Sequence, residues 1–438
     1  MTGEVDVMVI GAGTAGAATA RACARAGLSV LVVESKPLHQ AGAHWLNGVP
    51  AHAFEAADIP LPRGAELAGT GHAFHMVAGY GPGRLTIPSA ELLEVDMQHL
   101  VARLQADARS AGARLHEGEQ ATAWEPAEDG AIVRTSHRTY QARVVVDASG
   151  MRGVRFQPPP EVPRDEICVA AQETRALLDP TAATAFFTSH GVEPGDTLCF
   201  TGVSGGYSIV NVRVDLEQRR FYILTGAIPG AGHQSGVQLA EEFVGRHDWI
   251  GAKQAGGARA IPLLPPLAQL NDGQLVRVGD AARQVFAAHG SGIGAQLVAA
   301  RLLADVLSTG GSPSDYTQRW HREHGSHFCN SVAFARFSRD LSTEDLRELF
   351  ASGLLAPGQT GRTLTQRRPG LGISDISDLS QMLLGAIRAP RWLSKLAPLA
   401  GQIARMEIHH SRFPADPDRV AQWGRERDAI LLGRSSKA

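Results

Sequence analysis

An α/β fold is predicted for this 438-residue chain, with a Rossmann-type dinucleotide-binding unit first, an antiparallel β-rich segment next and a mostly helical C-terminal region last. Three observations carry the prediction. Residues 7–10 (VMVI) form an apolar run ending in Gly11, Gly13 and Gly16, spaced G-x-G-x-x-G; an alanine-rich helical segment and a second apolar run, Val30 to Val33, follow. Residues 165–230 contain alternating, strand-like stretches such as 207–214 and 221–224. Beyond residue 310 the patterns are helical and are broken by Gly and Pro.

Each glycine of the first unit has a separate task. Gly11 permits the turn, Gly13 lets backbone approach a pyrophosphate, and Gly16 lets the helix pack close to the strand. The helix N-terminus then presents unpaired N–H groups and a positive dipole end to phosphate. The second strand closes on Glu34, whose carboxylate accepts from ribose hydroxyls and repels a 2′-phosphate. The nucleotide expected is FAD or NAD, not NADP.

Residues 36–95 are rich in Gly, Pro and His without sustained periodicity and read as an insertion of loops and short strands. From 96 to 111, Met97, Leu100, Leu104 and Ala108 share one helical face, and Gly112 ends that helix. Residues 113–146 read as short strands. The last of them, 143–146, runs into Asp147-Ala148-Ser149-Gly150, and the carboxyl end of a buried strand is where α/β proteins place ligand contacts. Pro158 to Pro160 marks an exit, and a helix is expected near 236–244. The chain then returns to the first domain: residues 274–278 are a strand, Gly279-Asp280 closes it, and Gly290 to Gly294 opens a long apolar helix to about Leu307. Helices are expected within 313–340, 343–351, 376–404 and 417–432. The domains expected are a discontinuous nucleotide-binding domain over 1–164 and 255–310, interrupted by 36–95, a β-rich substrate domain over 165–254, and a helical region over 311–438.

Composition narrows the class. A hydrophobic content of 44% supports a full core, and a net charge of −2 gives no reason to expect nucleic acid or an anionic membrane as partner. No run of 18 apolar residues spans a bilayer, and the N-terminus starts a strand at once, so a cytoplasmic protein is expected. Cys23, Cys168, Cys199 and Cys329 lie far apart without zinc or CxxC spacing and read as small buried hydrophobes.

Three blocks now stand in order: GAGTAG…E at 11–34, VVVDASGMRG at 144–153, and VRVGDAARQVFAAHGSGIGAQLVAARLLAD at 276–305. Together they resemble the FAD-dependent superfamily of para-hydroxybenzoate hydroxylase-like monooxygenases, geranylgeranyl reductases and flavin-dependent halogenases. The resemblance implies a Rossmann-like FAD-binding domain and FAD in extended form. The cofactor contacts it implies are Gly11, Gly13, Thr14, Ala15, Gly16, Glu34 and Ser35 in the first block, and Asp147, Ser149 and Gly150 in the second. Gly279, Asp280, Gly292, Ile293 and Gly294 complete the set, with Asp280 at the pyrophosphate and ribitol and the helix near Gly292 aimed at the flavin pyrimidine edge.

Departures bear on the subfamily. The halogenase lysine is missing, since the only lysines are Lys36, Lys253, Lys395 and Lys437, and Gly205 to Val210 replaces the W-x-W-x-I-P stretch. Met97 stands where reductases usually carry an FAD-contacting arginine; either Arg84, Arg103 or a different loop compensates, or the correspondence at this position is shifted. Asp147-Ala148-Ser149-Gly150 is closer to the reductase and halogenase version than to the D-G of hydroxylases. Ala288-His289 replaces the proline common before the flavin glycine loop.

Among the histidines, His289 is the candidate catalytic group beside the flavin, donating a proton to a flavin peroxide or taking one from a substrate hydroxyl. His44, near Trp45, Asn47 and His52, is a candidate substrate contact or flavin tether. His72 and His75 read as loop residues. His321, His324 and His327 have metal-compatible helical spacing but no accompanying carboxylate or cysteine pattern, which favours an interhelical face. Arg152 and Arg155 either touch phosphate or close the DASG turn.

The first functional expectation is a flavoprotein monooxygenase that activates dioxygen as a flavin C4a-peroxide and hydroxylates an electron-rich, aromatic or unsaturated substrate. With one dinucleotide unit, the electrons come from transiently bound NAD(P)H or a partner reductase. The alternatives are a small-molecule reductase or dehydrogenase, or a flavoprotein modifying a side chain or carrier-bound acyl group on another protein, such as peptidyl tryptophan in quinone-cofactor biogenesis. Arg336, Arg339, Arg367, Arg368 and Arg391 would form the docking face for such a partner.

Overall fold

A computed structural model describes residues 2–70, 72–88, 91–151, 153–154, 156, 162–368 and 375–433. Arg152 and Arg155 lie outside the described residues, as does the Pro158 to Pro160 exit.

The chain opens with β1 (Thr2–Ile10), α1 (Thr14–Arg25) and β2 (Val30–Glu34). Val7 to Ile10 and the whole of β2 are buried, as strands covered on both faces require. The insertion then supplies β3 (Leu46–Pro50), α2 (Ala51–Ala56), β4 (Leu67–Thr70), β5 (Phe74–Ala78), β6 (Arg84–Ile87) and β7 (Leu92–Asp96). Next comes α3 (Met97–Ser110), capped by Asp96, whose carboxylate accepts from the Gln98 and His99 N–H groups. β8 (Arg114–Glu117), β9 (Ala121–Ala127), β10 (Gly130–Thr135) and β11 (Thr139–Asp147) follow. The middle region holds β12 (Ile167–Leu177), α4 (Pro180–Ser189), β13 (Thr197–Thr201), β14 (Ser208–Asp215), β15 (Arg220–Ala227), α5 (Gly236–Gly245) and β16 (Ile250–Pro262). β17 (Asn271–Asp272), β18 (Leu275–Arg277) and α6 (Ile293–Ser308) return to the first sheet. The rest is helical: α7 (Pro313–Trp320), a π-helical turn (His321–Gly325), α8 (Ser326–Arg339), α9 (Thr343–Ser352), α10 (Pro357–Leu364), α11 (Ile376–Arg388), α12 (Pro390–Ser411) and α13 (Val420–Leu431).

The first sheet runs β17-β18-β11-β1-β2-β8, with β10 and β9 added beside β11. β1 is parallel to both β2 and β11, and β18 is parallel to β11, so the carboxyl ends of the central strands open on one edge. α1 and α6 pack together on this sheet over a core that includes Val7, Val9, Val32, Leu303 and Phe286.

A second sheet runs β16-β12-β15-β14-β13-β5-β6. One face packs on α4 and α5 through Phe187, Phe200, Phe221 and Phe243. Each ring so buried contributes about 2–3 kcal/mol. The other face is the floor of the cavity described below.

Two features of this sheet depart from the domain boundaries expected from sequence. β5 and β6 come from the insertion yet pair with the second sheet, Phe74 to Ala78 lying parallel to Thr197 to Thr201. The 254/255 boundary falls inside β16, which pairs with β12 from Ile250 to Pro262. β3, β7 and β4 form a third, small sheet. The helix over 313–340 contains the π turn, where Gly325 admits α12: a Cβ there would lie 2.5 Å from the His410 ring.

Candidate active site

A single cavity of about 1910 Å³ lies between the first sheet, the second sheet and the C-terminal helices. Three kinds of wall meet in it.

The first wall is the carboxyl edge of the first sheet. Gly11 turns with φ +96°, and a Cβ there would sit 2.8 Å from the Ala148 carbonyl oxygen. Gly13 caps α1 without any side-chain hydrogen bond, so the first-turn N–H groups at Thr14 and Ala15 face the cavity unblocked by a capping side chain. The Glu34 carboxylate is held by the Ala12 N–H (2.8 Å) and the Lys36 N–H (3.0 Å) and reaches the cavity beside Ser35. Gln105, buried on α3, donates to the Ala12 and Leu38 carbonyls and ties α3 to the turn. Its burial was masked in the sequence by its polar character.

The second wall is formed by the other two blocks. Asp147 accepts from the Ser149 N–H (3.1 Å) and hydroxyl (2.6 Å), which fixes the turn at Gly150. Burial pushes the Asp147 carboxyl up, against the pull of Ser149. Asp280 is raised by burial as well and accepts from Gln296 Nε2 at 2.9 Å. Arg259 of β16 lowers the Asp280 carboxyl in turn and lies over the Trp45 ring at 5.4 Å. Gly292 caps α6, again without a side-chain bond, and Ile293 lines the cavity. Two helix N-termini and a cradle of glycines therefore converge on one space, with acids placed for hydroxyls at Glu34 and Asp280. That donor set suits an extended dinucleotide.

Several expected contacts do not face this space. Gly16 packs against the Gly11 carbonyl, where an added Cβ would lie 1.8 Å away, which is the packing task read from the sequence. Gly279 packs on Ala15 and gives its N–H to Gln284, and Gly294 sits against Ala53 and Pro50 of the small sheet and α2. These three hold elements together instead of lining the cavity. Arg103 pairs with Glu66, and Arg84 donates to the His190 and Gly191 carbonyls, so neither replaces the arginine lost at Met97, itself fully buried. The cationic side chains on the cavity wall are Lys36, Arg213, Arg259, Arg277 and Arg283.

The histidines separate clearly. His289 lines the cavity; its Nε2 is buried without a partner, and burial brings its pKa down to about 4. At neutral pH it is an uncharged imidazole, which suits taking a proton from a hydroxyl or accepting a hydrogen bond; burial works against the protonated form. Tyr207, missed by sequence reasoning because it reads as an ordinary strand aromatic, stands beside it with its hydroxyl donating to the Ala287 carbonyl at 2.6 Å. His44 is exposed, bonds Gln98 at the surface and does not line the cavity; neighbouring Trp45 and Asn47 do. The expectation of His44 as a substrate contact or flavin tether is withdrawn on that geometry.

His72 reaches the cavity wall. His75 is buried between Thr86 and Asp196. His321 meets the Leu267 carbonyl and stacks on Phe413, and His327 meets the Gln366 carbonyl. No group of metal-ligating side chains occurs among the described residues.

The third wall is apolar and comes from the C-terminal region. Phe334 and Phe337 of α8, Leu346 and Leu349 of α9, Leu354, Met382 of α11 and Leu396 of α12 line it. Of the arginines expected to form a protein-docking face, Arg336 and Arg339 are mostly covered and pair with Glu166 and Asp165, while Arg367, Arg368 and Arg391 stay at the surface in ion pairs with Glu91, Glu407 and Glu348.

Residues 6–60 match the family model described as FAD dependent oxidoreductase. Over that stretch the chain is similar to FAD-dependent oxidoreductases. The chain is 24% identical, over 98% of its length and 97% of the relative's, to a digeranylgeranylglycerophospholipid reductase of Sulfolobus acidocaldarius. In fold it is similar to a geranylgeranyl bacteriochlorophyll reductase-like protein from Thermoplasma acidophilum, with a TM-score of 0.70, 19% identity, and 90% and 99% of the two chains covered. It is also similar to a halogenase solved in complex with FAD, at a TM-score of 0.62 and 13% identity over 98% and 96% of the chains. Among the described residues no helix is long and apolar enough to cross a membrane.

Proposed function

We propose that this flavoprotein is a reductase that saturates a carbon–carbon double bond in a long apolar, isoprenoid-type chain. The observation that carries the reading is the third wall: the cavity that holds the dinucleotide cradle continues into an arm lined by Phe334, Phe337, Leu346, Leu349 and Leu354. An apolar arm of that extent gains about 0.8 kcal/mol for each methylene it removes from water. Similarity to a prenyl-lipid reductase over nearly the whole chain supports the same reading, so reduction is placed ahead of the oxygen insertion first expected.

Bound FAD supplies a two-electron transfer centre. In this proposal the turn at Gly11 and Gly13, with the N–H groups at Thr14 and Ala15, receives the phosphates. Glu34 and Ser35 receive the ribose, Asp147, Ser149 and Gly150 shape the adjoining turn, and Asp280 accepts from the ribitol hydroxyls. The α6 N-terminus at Gly292 and Ile293 would present its unpaired N–H groups to the flavin ring, where a positive dipole end favours negative charge. Gly16, Gly279 and Gly294 serve by packing. His289, neutral and with a free ring nitrogen, orients a polar atom at the junction of cradle and apolar arm. Helices α8 to α12 exclude water from the reacting double bond. Electrons come from transiently bound NAD(P)H or a separate reductase, since the sequence holds a single G-x-G-x-x-G turn.

The test is anaerobic turnover of a geranylgeranyl-bearing lipid with chemically reduced protein, followed by mass spectrometry. The reading expects gain of two hydrogens per double bond without dioxygen. Turnover only in air, with an oxygen atom added, would overturn it in favour of a monooxygenase.

A further inference from the structure

Helices α11 and α12 have two opposed faces. On one, Met382 and Leu396 line the cavity, Trp392 is fully buried, and Gly385 packs so closely that a Cβ would lie 2.8 Å from the Gly353 backbone. The other face is apolar and open. Leu379, Leu383 and Ile387 recur every fourth residue of α11 and are 37%, 65% and 68% exposed; Leu384 beside them is 52% exposed. On α12, Leu393, Ala397, Ala400, Ala404 and Ile408 are all exposed and share one helical stripe, about 22 Å long at 1.5 Å per residue. The close packing of the inner face shows that this stripe is turned outward by the fold.

Charge distinguishes the occupants. Between Leu379 and Arg412 stand Arg388, Arg391, Lys395, Arg405 and Arg412 against one acid, Glu407, in a chain whose net charge is −2. Arg391 and Lys395 pair with Glu348 and Asp345, and Glu407 pairs with Arg368. Arg388 and Arg405 are exposed at the margins of the stripe, and Arg405 and Arg412 share a small surface pocket with Ile408. An apolar strip edged by arginines is the pattern of a helix pair lying in a membrane interface, with the cations at anionic headgroups.

We infer that the outer face of α11 and α12 docks on an anionic lipid surface, with the apolar arm of the cavity directly behind it. The two helices form a wall one side chain deep, with lipid against Leu383 and Ile387 outside and the substrate arm against Met382 and Leu396 inside. The near-neutral total charge hides this local surplus, which is why composition gave no sign of a membrane partner.

The experiment is flotation of the FAD-loaded full chain with phosphatidylglycerol vesicles, with phosphatidylcholine vesicles alongside, plus light scattering of the protein alone. Wild-type protein is expected to float with phosphatidylglycerol, to lose at least tenfold in binding on phosphatidylcholine or in high salt, and to lose as much in the L383E/I387E variant, whose exposed positions leave melting temperature and FAD content unchanged. Arg388→Glu is expected to weaken binding to phosphatidylglycerol alone. Failure of wild-type protein to float, equal flotation of the double variant, or a dimer that the double variant dissolves would overturn the inference; the last would assign the face to a second copy. Flotation reads the surface whatever the substrate proves to be, so its failure and that of the reductase reading are separable.

Discussion

Gly16→Ala sets two physical effects against each other. In a helix interior, alanine is favoured over glycine by about 0.5–1 kcal/mol. At this position, however, the new Cβ would lie 1.8 Å from the Gly11 carbonyl oxygen and 3.4 Å from the Ala148 methyl. Relief to an ordinary contact requires α1 to move by roughly 1.5 Å from the turn, and overpacking of that kind costs about 1–3 kcal/mol. Overpacking wins, so the variant is expected to be less stable by about 1–2 kcal/mol despite its better helix propensity. The same movement withdraws the N–H groups at Thr14 and Ala15 from the cavity, so FAD affinity is expected to fall further than stability does. Thermal melts of the apo protein, and FAD titration followed by flavin fluorescence, read the two effects separately. A variant as stable as wild type with unchanged FAD affinity would refute the packing task assigned to Gly16.

Other outcomes follow from the same geometry. Thr360→Trp, which narrows the apolar arm, is expected to raise KM for a twenty-carbon prenyl chain about tenfold while sparing a ten-carbon one, a loss of about 1.4 kcal/mol; equal effects on both in steady-state assays would contradict the arm. His289, His321 and His410 are held neutral by burial, with pKa values of about 4, 3 and 2. Because these values lie below the ordinary 6.5, the unfolded chain binds more protons, so stability is full above about pH 6.5 and is lost as pH falls toward 4, by up to about 1.4 kcal/mol per pH unit for each histidine. Melting temperatures that do not decline from pH 7.5 to 5 would refute their burial. Cys23, Cys168, Cys199 and Cys329 are buried with thiols pushed up to about 12, so a thiol-disulfide reagent at pH 8 should label them only after denaturation, and rapid native labelling would contradict this.

The first unit was legible because its physics is local. A buried strand, three spaced glycines and a closing acid leave few alternative conformations, and Glu34 stands at the turn as the spacing required. The apolar face of α3 and the acid that opens the DASG turn were legible for the same reason. The division of the insertion was not: whether β5 pairs with β13 depends on a partner more than a hundred residues away, which periodicity does not encode. His44 misled because nearness to the second strand in sequence says nothing about the side of the chain on which a ring emerges. The apolar arm was hidden because α8, α9 and α11 looked like ordinary amphipathic helices, and only their assembly leaves a space between them.

The central claim is that one cavity holds an FAD cradle and an apolar arm end to end. Titrating apo protein with FAD, then adding a twenty-carbon prenyl ligand while recording the flavin absorption spectrum, tests it directly. The account predicts saturation at one FAD per chain and a spectral shift with the prenyl ligand that Thr360→Trp abolishes. A chain that takes up no FAD, or whose flavin spectrum is indifferent to the ligand, would contradict it.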